Sequence, residues 1–140
     1  MTFDRNKKYP LFISHCWDYR DKYYTVEGWI DESDIDWKNM SIPAHDPKDA
    51  KSDEELEQVI DNHIRHSSLF IIIIIAGMYV SQKNRTWINK EIDIAQKYNK
   101  KILAIKPWGS QRTSERIPEV ADKLVSWQSS SVINGIKELL

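Results

Sequence analysis

Leu69-Phe70-Ile71-Ile72-Ile73-Ile74-Ile75 is the stretch on which the fold turns. Isoleucine branches at Cβ and favours extended backbone. No polar residue alternates with the apolar ones, so both faces of this strand must be buried, as at the centre of a parallel sheet. On its amino-terminal side, Ser52 and Glu55 form an S-x-x-E capping box, and the helix it opens carries Leu56, Val59, Ile60 and Ile64 on one face. On its carboxyl-terminal side the pattern predicts a helix over 85–99, a strand over 101–105, a weak strand over 124–127 and a closing helix over 131–140. Upstream, Tyr9-Pro10-Leu11-Phe12-Ile13-Ser14 reads as strand one. Tyr23, Val26 and Ile30 mark a helix over 18–31, residues 35–42 hold a short second strand, and 43–52, with two prolines, is a loop. Strands alternating with helices imply right-handed βαβ units. The expected fold is therefore α/β, a three-layer flavodoxin-like arrangement with a five-stranded parallel sheet in the order 2-1-3-4-5 and helices on both faces. At 140 residues the chain is read as one domain, 1–140.

Composition removes several functions. With 20 basic and 21 acidic residues the net charge is -1, which argues against a general binder of nucleic acid or membrane surfaces. One cysteine, Cys16, excludes a disulfide within the chain. The start, MTFDRNKKYP, has no apolar stretch of signal-peptide length, and the most apolar run, 69–80, is about half the ~20 residues of a spanning helix. A reducing cytoplasm is the expected setting. Four glycines form neither G-x-G-x-x-G nor a P-loop, so a Rossmann-type redox site is not expected. His63 and His66 lack the further ligands of a metal site and read as solvated or capping residues; no metal or cofactor is expected. The acidic stretch 31–36 lacks the glycine and distal glutamate of a calcium loop and reads as a solvated loop. Cys16 reads as small packing rather than a nucleophile. A phosphoacceptor receiver domain shares the fold, but it needs an aspartate at the end of strand three, where this chain has Ala76-Gly77.

In such sheets ligands bind beyond the carboxyl ends of the strands, near the switch point between strands one and three. Ser14-His15-Cys16-Trp17, Ala76-Gly77-Met78-Tyr79 and Lys106-Pro107-Trp108-Gly109 converge there, and their mix of polar groups and aromatic faces suits a nucleotide. On the helix 85–99, Ile88, Ile92 and Ala95 should face the sheet, while Glu91 interrupts an adjoining stripe of Trp87, Ile94 and Tyr98. Two readings of Glu91 stay open on pattern alone. It is either an edge carboxylate paired with Lys90 or Lys97, or a carboxylate fixed to stabilise an oxocarbenium-like state in glycosidic cleavage. Ser14 is a nucleotide contact or a strand-end cap. Asp46 is a ribose ligand or a turn residue before Pro47.

Phe12-Ile13-Ser14-His15 resembles the strand-one motif of TIR domains, and Trp87-Ile88-Asn89-Lys90-Glu91-Ile92 resembles the W-x-x-K-E-I segment of NAD-cleaving TIR domains. Ala76-Gly77-Met78-Tyr79, Lys106-Pro107-Trp108-Gly109 and Ala121-Asp122 resemble more narrowly the TIR-like family of the bacterial Thoeris antiphage system. The resemblance implies an enzyme that releases nicotinamide from NAD and forms a cyclic ADP-ribose isomer, a signal for a separate effector protein. NAD is then substrate rather than cofactor. It implies Glu91 as the catalytic residue and Trp87 as a pocket wall; by their placement in the chain, Ser14, His15, Asp46, Tyr79 and Trp108 are the other candidate substrate contacts. The chain departs from the family in two places. Cys16, Trp17 and Asp18 stand where many TIR domains carry an acidic residue or arginine, and Pro43-Ala44-His45-Asp46-Pro47 is not the usual glycine-bearing loop. The second departure bears on how the adenosine end is held and on self-association. The alternative function is a non-catalytic TIR-type interaction module.

Overall fold

The computed structural model describes residues 3–14, 20–41, 53–74, 82–106 and 116–140. In chain order these form β1 (Lys8–Ser14), α1 (Arg20–Glu32), β2 (Asp36–Asn39), α2 (Asp53–Arg65), β3 (Leu69–Ile73), α3 (Gln82–Lys97), β4 (Ile102–Lys106), α4 (Arg116–Val120), β5 (Lys123–Ser126) and α5 (Ser129–Leu139). The strands pair in parallel in the order β2-β1-β3-β4-β5, the expected topology.

Successive side chains of a strand point to opposite faces, and here each face meets its own helices. Leu11, Ile13, Leu69, Ile71, Ile73, Leu103 and Ile105 pack with Tyr23, Val26 and Ile30 of α1 and Val132 and Ile136 of α5. Phe12, Phe70, Ile72, Ile74, Ile102 and Ala104 pack with Leu56, Ile60 and Ile64 of α2, Ile88, Ile92 and Ala95 of α3, and Ile117 of α4. The isoleucine run therefore has no polar member because it feeds two cores at once. Phe12 and Phe70, register partners on β1 and β3, stack at 5.7 Å between ring centroids.

Departures from the expected elements are local. α3 starts earlier than predicted and stops at Lys97, because Asn99 takes a left-handed φ of 56°. The Lys100 N–H then bonds the Ala95 carbonyl and the Asn99 N–H the Gln96 carbonyl, a Schellman ending with asparagine in glycine's usual place. Val59, expected on the buried face of α2, is 45 % exposed, since Leu56, Ile60 and Ile64 at four-residue spacing already fill the contact with the sheet. α4 was not expected; five residues are too few to show a period, and Pro118 is tolerated there because it falls in the first turn. α5 begins at Ser129 rather than 131. The Ser52 cap lies outside the described residues.

Candidate active site

β1 runs through both cores and ends on Ser14, opposite Ile72 of β3. Alternation puts Ser14 on the same face as Phe12, the face covered by α2 and α3. Glu91 lies on α3 among Trp87, Ile88, Ile92, Ile94 and Ala95, all buried. Ser14 is 1 % exposed and Glu91 is 9 % exposed. These two bring the only buried side-chain polar atoms among the described residues that lack a hydrogen-bond partner, Ser14 Oγ and Glu91 Oε2.

Burial pushes the Glu91 carboxyl up to about 7, because the charged form loses water without gaining a counter-ion. The Ser14 hydroxyl faces the carboxyl closely enough to offset part of that rise, yet no hydrogen bond of good geometry joins them. The two lysines nearest in sequence do not help. Lys90 pairs with Glu57 of α2 at 3.5 Å and lies over the Trp87 ring at 4.8 Å. Lys97 pairs with Asp61 of α2 at 2.8 Å, and the Tyr98 hydroxyl donates to the same aspartate. The reading of Glu91 as an edge carboxylate held by Lys90 or Lys97 is thus replaced by a carboxylate left without either. Native folds rarely leave a buried acid in this state, and such groups are enriched at functional sites.

Trp87 is 6 % exposed and belongs to the core under α3. It stands one turn from Glu91 on the same helix. Of the other candidate contacts, His15, Asp46, Tyr79 and Trp108 lie outside the described residues, as does Cys16. Other tryptophans serve structure. Trp29 and Trp127 pack against each other at 4.7 Å on the α1 and α5 side, and Trp37 donates from Nε1 to Asp31. The acidic stretch around Asp31 is likewise structural, with Asp34 paired to Arg5 and Lys137. His63 Nδ1 meets the Met40 carbonyl at 2.7 Å and His66 Nδ1 the Asn62 carbonyl at 2.8 Å, contacts that require the hydrogen on Nδ1 and suit capping. Among the described residues no group of three or more His, Cys, Asp or Glu is placed to hold a metal ion. No helix among them is long and apolar enough to cross a membrane.

A polar network that sequence reasoning did not single out borders this site. Asn39, the last residue of β2, donates from Nδ2 to the Tyr23 hydroxyl at 2.6 Å and to Glu27 at 2.8 Å. Its Oδ1 accepts the Ser41 N–H, and Ser41 Oγ accepts the Ile13 N–H at 2.8 Å. Tyr23 is fully buried, and desolvation raises its hydroxyl to about 12 despite the opposing contacts from Asn39 and Ser41. Ser41 is 28 residues from Ile13 in the chain, so no local pattern announces the bond.

Comparison with known proteins agrees with this architecture. Among solved structures the chain is similar to a conserved protein from Enterococcus faecalis V583 (14 % identity, TM-score 0.64, 96 % of this chain and 100 % of that one). It is also similar to the Clostridium botulinum CMP N-glycosidase BcmB (14 %, 0.56, 91 % and 97 %). A third is a flavo di-iron protein from Thermotoga maritima (13 %, 0.55), which it covers over 37 % of that chain. At these identities the likeness is one of fold. No curated protein sequence matches. The sequence model for the Thoeris protein ThsB, TIR-like domain, matches residues 12–112, which run from β1 through β4 and include Ser14, Trp87 and Glu91. By that match over most of its length, this chain belongs to the TIR-like domain family of the Thoeris protein ThsB.

Proposed function

We propose that this domain cleaves the bond between nicotinamide and ribose in NAD and closes the remaining ADP-ribose into a ring, a signal for a separate effector protein. The observation that carries the reading is the buried Glu91 carboxyl beside Ser14 at the carboxyl edge of the sheet, with its Oε2 without a hydrogen-bond partner. A domain that only assembles has no use for such a group, because burying an acid without a counter-ion costs stability. Family membership supports the same reading, and one neighbour in fold, a CMP N-glycosidase, acts on a base–ribose bond.

In the proposed reaction the C1′–N bond breaks with its electron pair leaving on neutral nicotinamide. Positive charge develops on the ribosyl ring. A carboxylate held without a counter-ion is strongest exactly where a cation appears, since its field is not already neutralised. Because the Glu91 proton is held only to about 7, the cationic nicotinamide ring favours its release on binding. Ser14 has an unused hydroxyl with which to orient either the carboxylate or a ribose hydroxyl. A nucleophile within the same molecule then attacks C1′ and loses a proton. Proximity favours it, with effective molarities up to ~10⁵–10⁸ M against roughly 55 M for water.

The test is incubation of the purified chain with NAD, with chromatography for nicotinamide and mass spectrometry of the nucleotide product. The expected product has the mass of ADP-ribose less one water. Linear ADP-ribose alone would remove the cyclase reading and keep NAD cleavage. Nicotinamide release that is undiminished in a folded Glu91→Gln variant would remove Glu91 from the mechanism.

A further inference from the structure

The β1–β2 ladder ends early. Its last register pair is Leu11 with Asn39, followed by the Met40 N–H donating to the Leu11 carbonyl at 2.8 Å. β1 continues to Ser14, so the next N–H that faces β2, that of Ile13, has no backbone carbonyl to meet. Ser41 supplies a side-chain oxygen instead, at 2.8 Å and in a buried setting. The bond holds β1 where the β2 ladder has ended, while β1 stays extended to Ser14. On its other side β1 is held by β3, with Ser14 opposite Ile72. Ser14 is therefore fixed from β3 by the ladder and from β2 by one hydroxyl.

That hydroxyl is itself held. The Ser41 N–H is tied to Asn39 Oδ1 at 2.9 Å, and Asn39 Nδ2 is tied to Tyr23 and Glu27 on α1. Tyr23 OH in turn donates to Glu27 at 3.0 Å. The Ser41 backbone and the Asn39 side chain are thus both held, which restricts the Ser41 oxygen. The network runs from the exposed Asn39 amide inward to the buried bond between Ser41 and the Ile13 N–H, and linked hydrogen bonds of this kind restrain what they touch. What they touch is the residue before Ser14, whose hydroxyl faces Glu91.

We propose that Ser41 is a positioning residue: through the Ile13 N–H it fixes the end of β1, and so the placement of Ser14 against the Glu91 carboxyl. The catalytic part of this inference rests on the NAD-cleaving reading; the structural coupling does not. Glycosidic chemistry is sensitive to such placement, since a misplacement of about 1 Å can cost on the order of a hundredfold in rate.

The test uses Ser41→Ala and Ser41→Thr in the full chain, read in two ways. The first is independent of turnover. Amide exchange at Ile13 and the carboxyl carbon resonance of Glu91 are followed by NMR. Ser41→Ala should speed Ile13 exchange by about tenfold or more and shift the Glu91 resonance, and Ser41→Thr, which keeps the hydroxyl, should restore both. A faster Ile13 amide with an unmoved Glu91 resonance overturns the proposal, because Ser41 would then be a local rung only. The second reading is nicotinamide release well below the melting temperature of every variant. Ser41→Ala should lower kcat by about ten- to a hundredfold with KM for NAD changed by less than about threefold, and Ser41→Thr should recover most of the rate. A folded Ser41→Ala with the parent kcat overturns the proposal. If the parent releases no nicotinamide while the NMR coupling is present, the NAD reading fails and the positioning role stands.

Discussion

Glu91→Gln should stabilise the fold at alkaline pH while abolishing activity, and the size of the first effect follows from the site. The Glu91 carboxyl is pushed from an ordinary 4.5 to about 7 by burial. Between those values the folded chain keeps the proton and the unfolded chain releases it, so stability falls as pH rises through the window and the loss is complete above about 7. At about 1.4 kcal/mol per tenfold change in proton affinity, the full loss is about 3 kcal/mol. Glutamine is neutral throughout and nearly the same shape, so the variant escapes the loss. Its amide brings two donors into a site with one neighbouring hydroxyl, which costs a roughly constant 1–3 kcal/mol at every pH. The clean quantity is therefore the change with pH in the stability difference between variant and parent. Urea titrations at pH 4.5, 6, 7 and 8 should show that difference moving in favour of the variant by about 3 kcal/mol, with the slope of unfolding against urea unchanged. In thermal melts the same movement amounts to on the order of 10 °C for a domain of this size. Nicotinamide release by the variant should fall ~10²–10³-fold. A stability difference that stays flat from pH 4.5 to 8 would refute the reasoning, since Glu91 would then not be carrying an uncompensated charge in the fold.

Three further outcomes are expected. Ultraviolet titration should find a tyrosine step near 12, and Tyr23→Phe should remove that step and lower stability by about 0.5–1.5 kcal/mol through loss of the hydroxyl's bonds to Asn39 and Glu27. Asp122→Ala should cost about 1–2 kcal/mol in urea titration, because Asp122 Oδ2 accepts the Ile102 N–H at 2.7 Å where β4 begins. Trp87→Phe should retain more activity than Trp87→Ala, and the alanine variant should lose about 3–5 kcal/mol of stability from the emptied volume under α3; parent-like activity in both would end its role as a wall of the site.

The fold was legible because its strands carry an unambiguous signal. Seven apolar residues from Leu69 onward admit one placement, and once that strand is central the helices on either side have only a face to choose. The helix carrying Glu91 was legible for the same reason, through Ile88, Ile92 and Ala95. What the sequence left open was Glu91's company. Lys90 and Lys97 stand one and six positions away, but α2 supplies Glu57 and Asp61 to take them, and a pairing between helices has no sequence period. Ser41 escaped notice on similar grounds, since its bond to Ile13 joins positions made neighbours only by the β1–β2 crossover. The end of α3 is the reverse case, in which Asn99 is a readable stop that the hydrophobic periodicity alone runs past.

Ser14 and Phe12 share one face of β1 while Leu11 and Ile13 serve the other, so the register that builds both cores also delivers Ser14 to Glu91. A slip of one residue would turn Ser14 into the α1–α5 core and Ile13 toward Glu91, at the cost of every apolar contact on the strand. Drift in the register of the strand therefore offers no path by which the domain keeps its fold and loses its site. Replacement of Glu91 itself offers one, and that step relieves the chain of a buried charge. Among descendants of such a domain, inert copies that persist as scaffolds should arise readily and should outlast their active parents in heat.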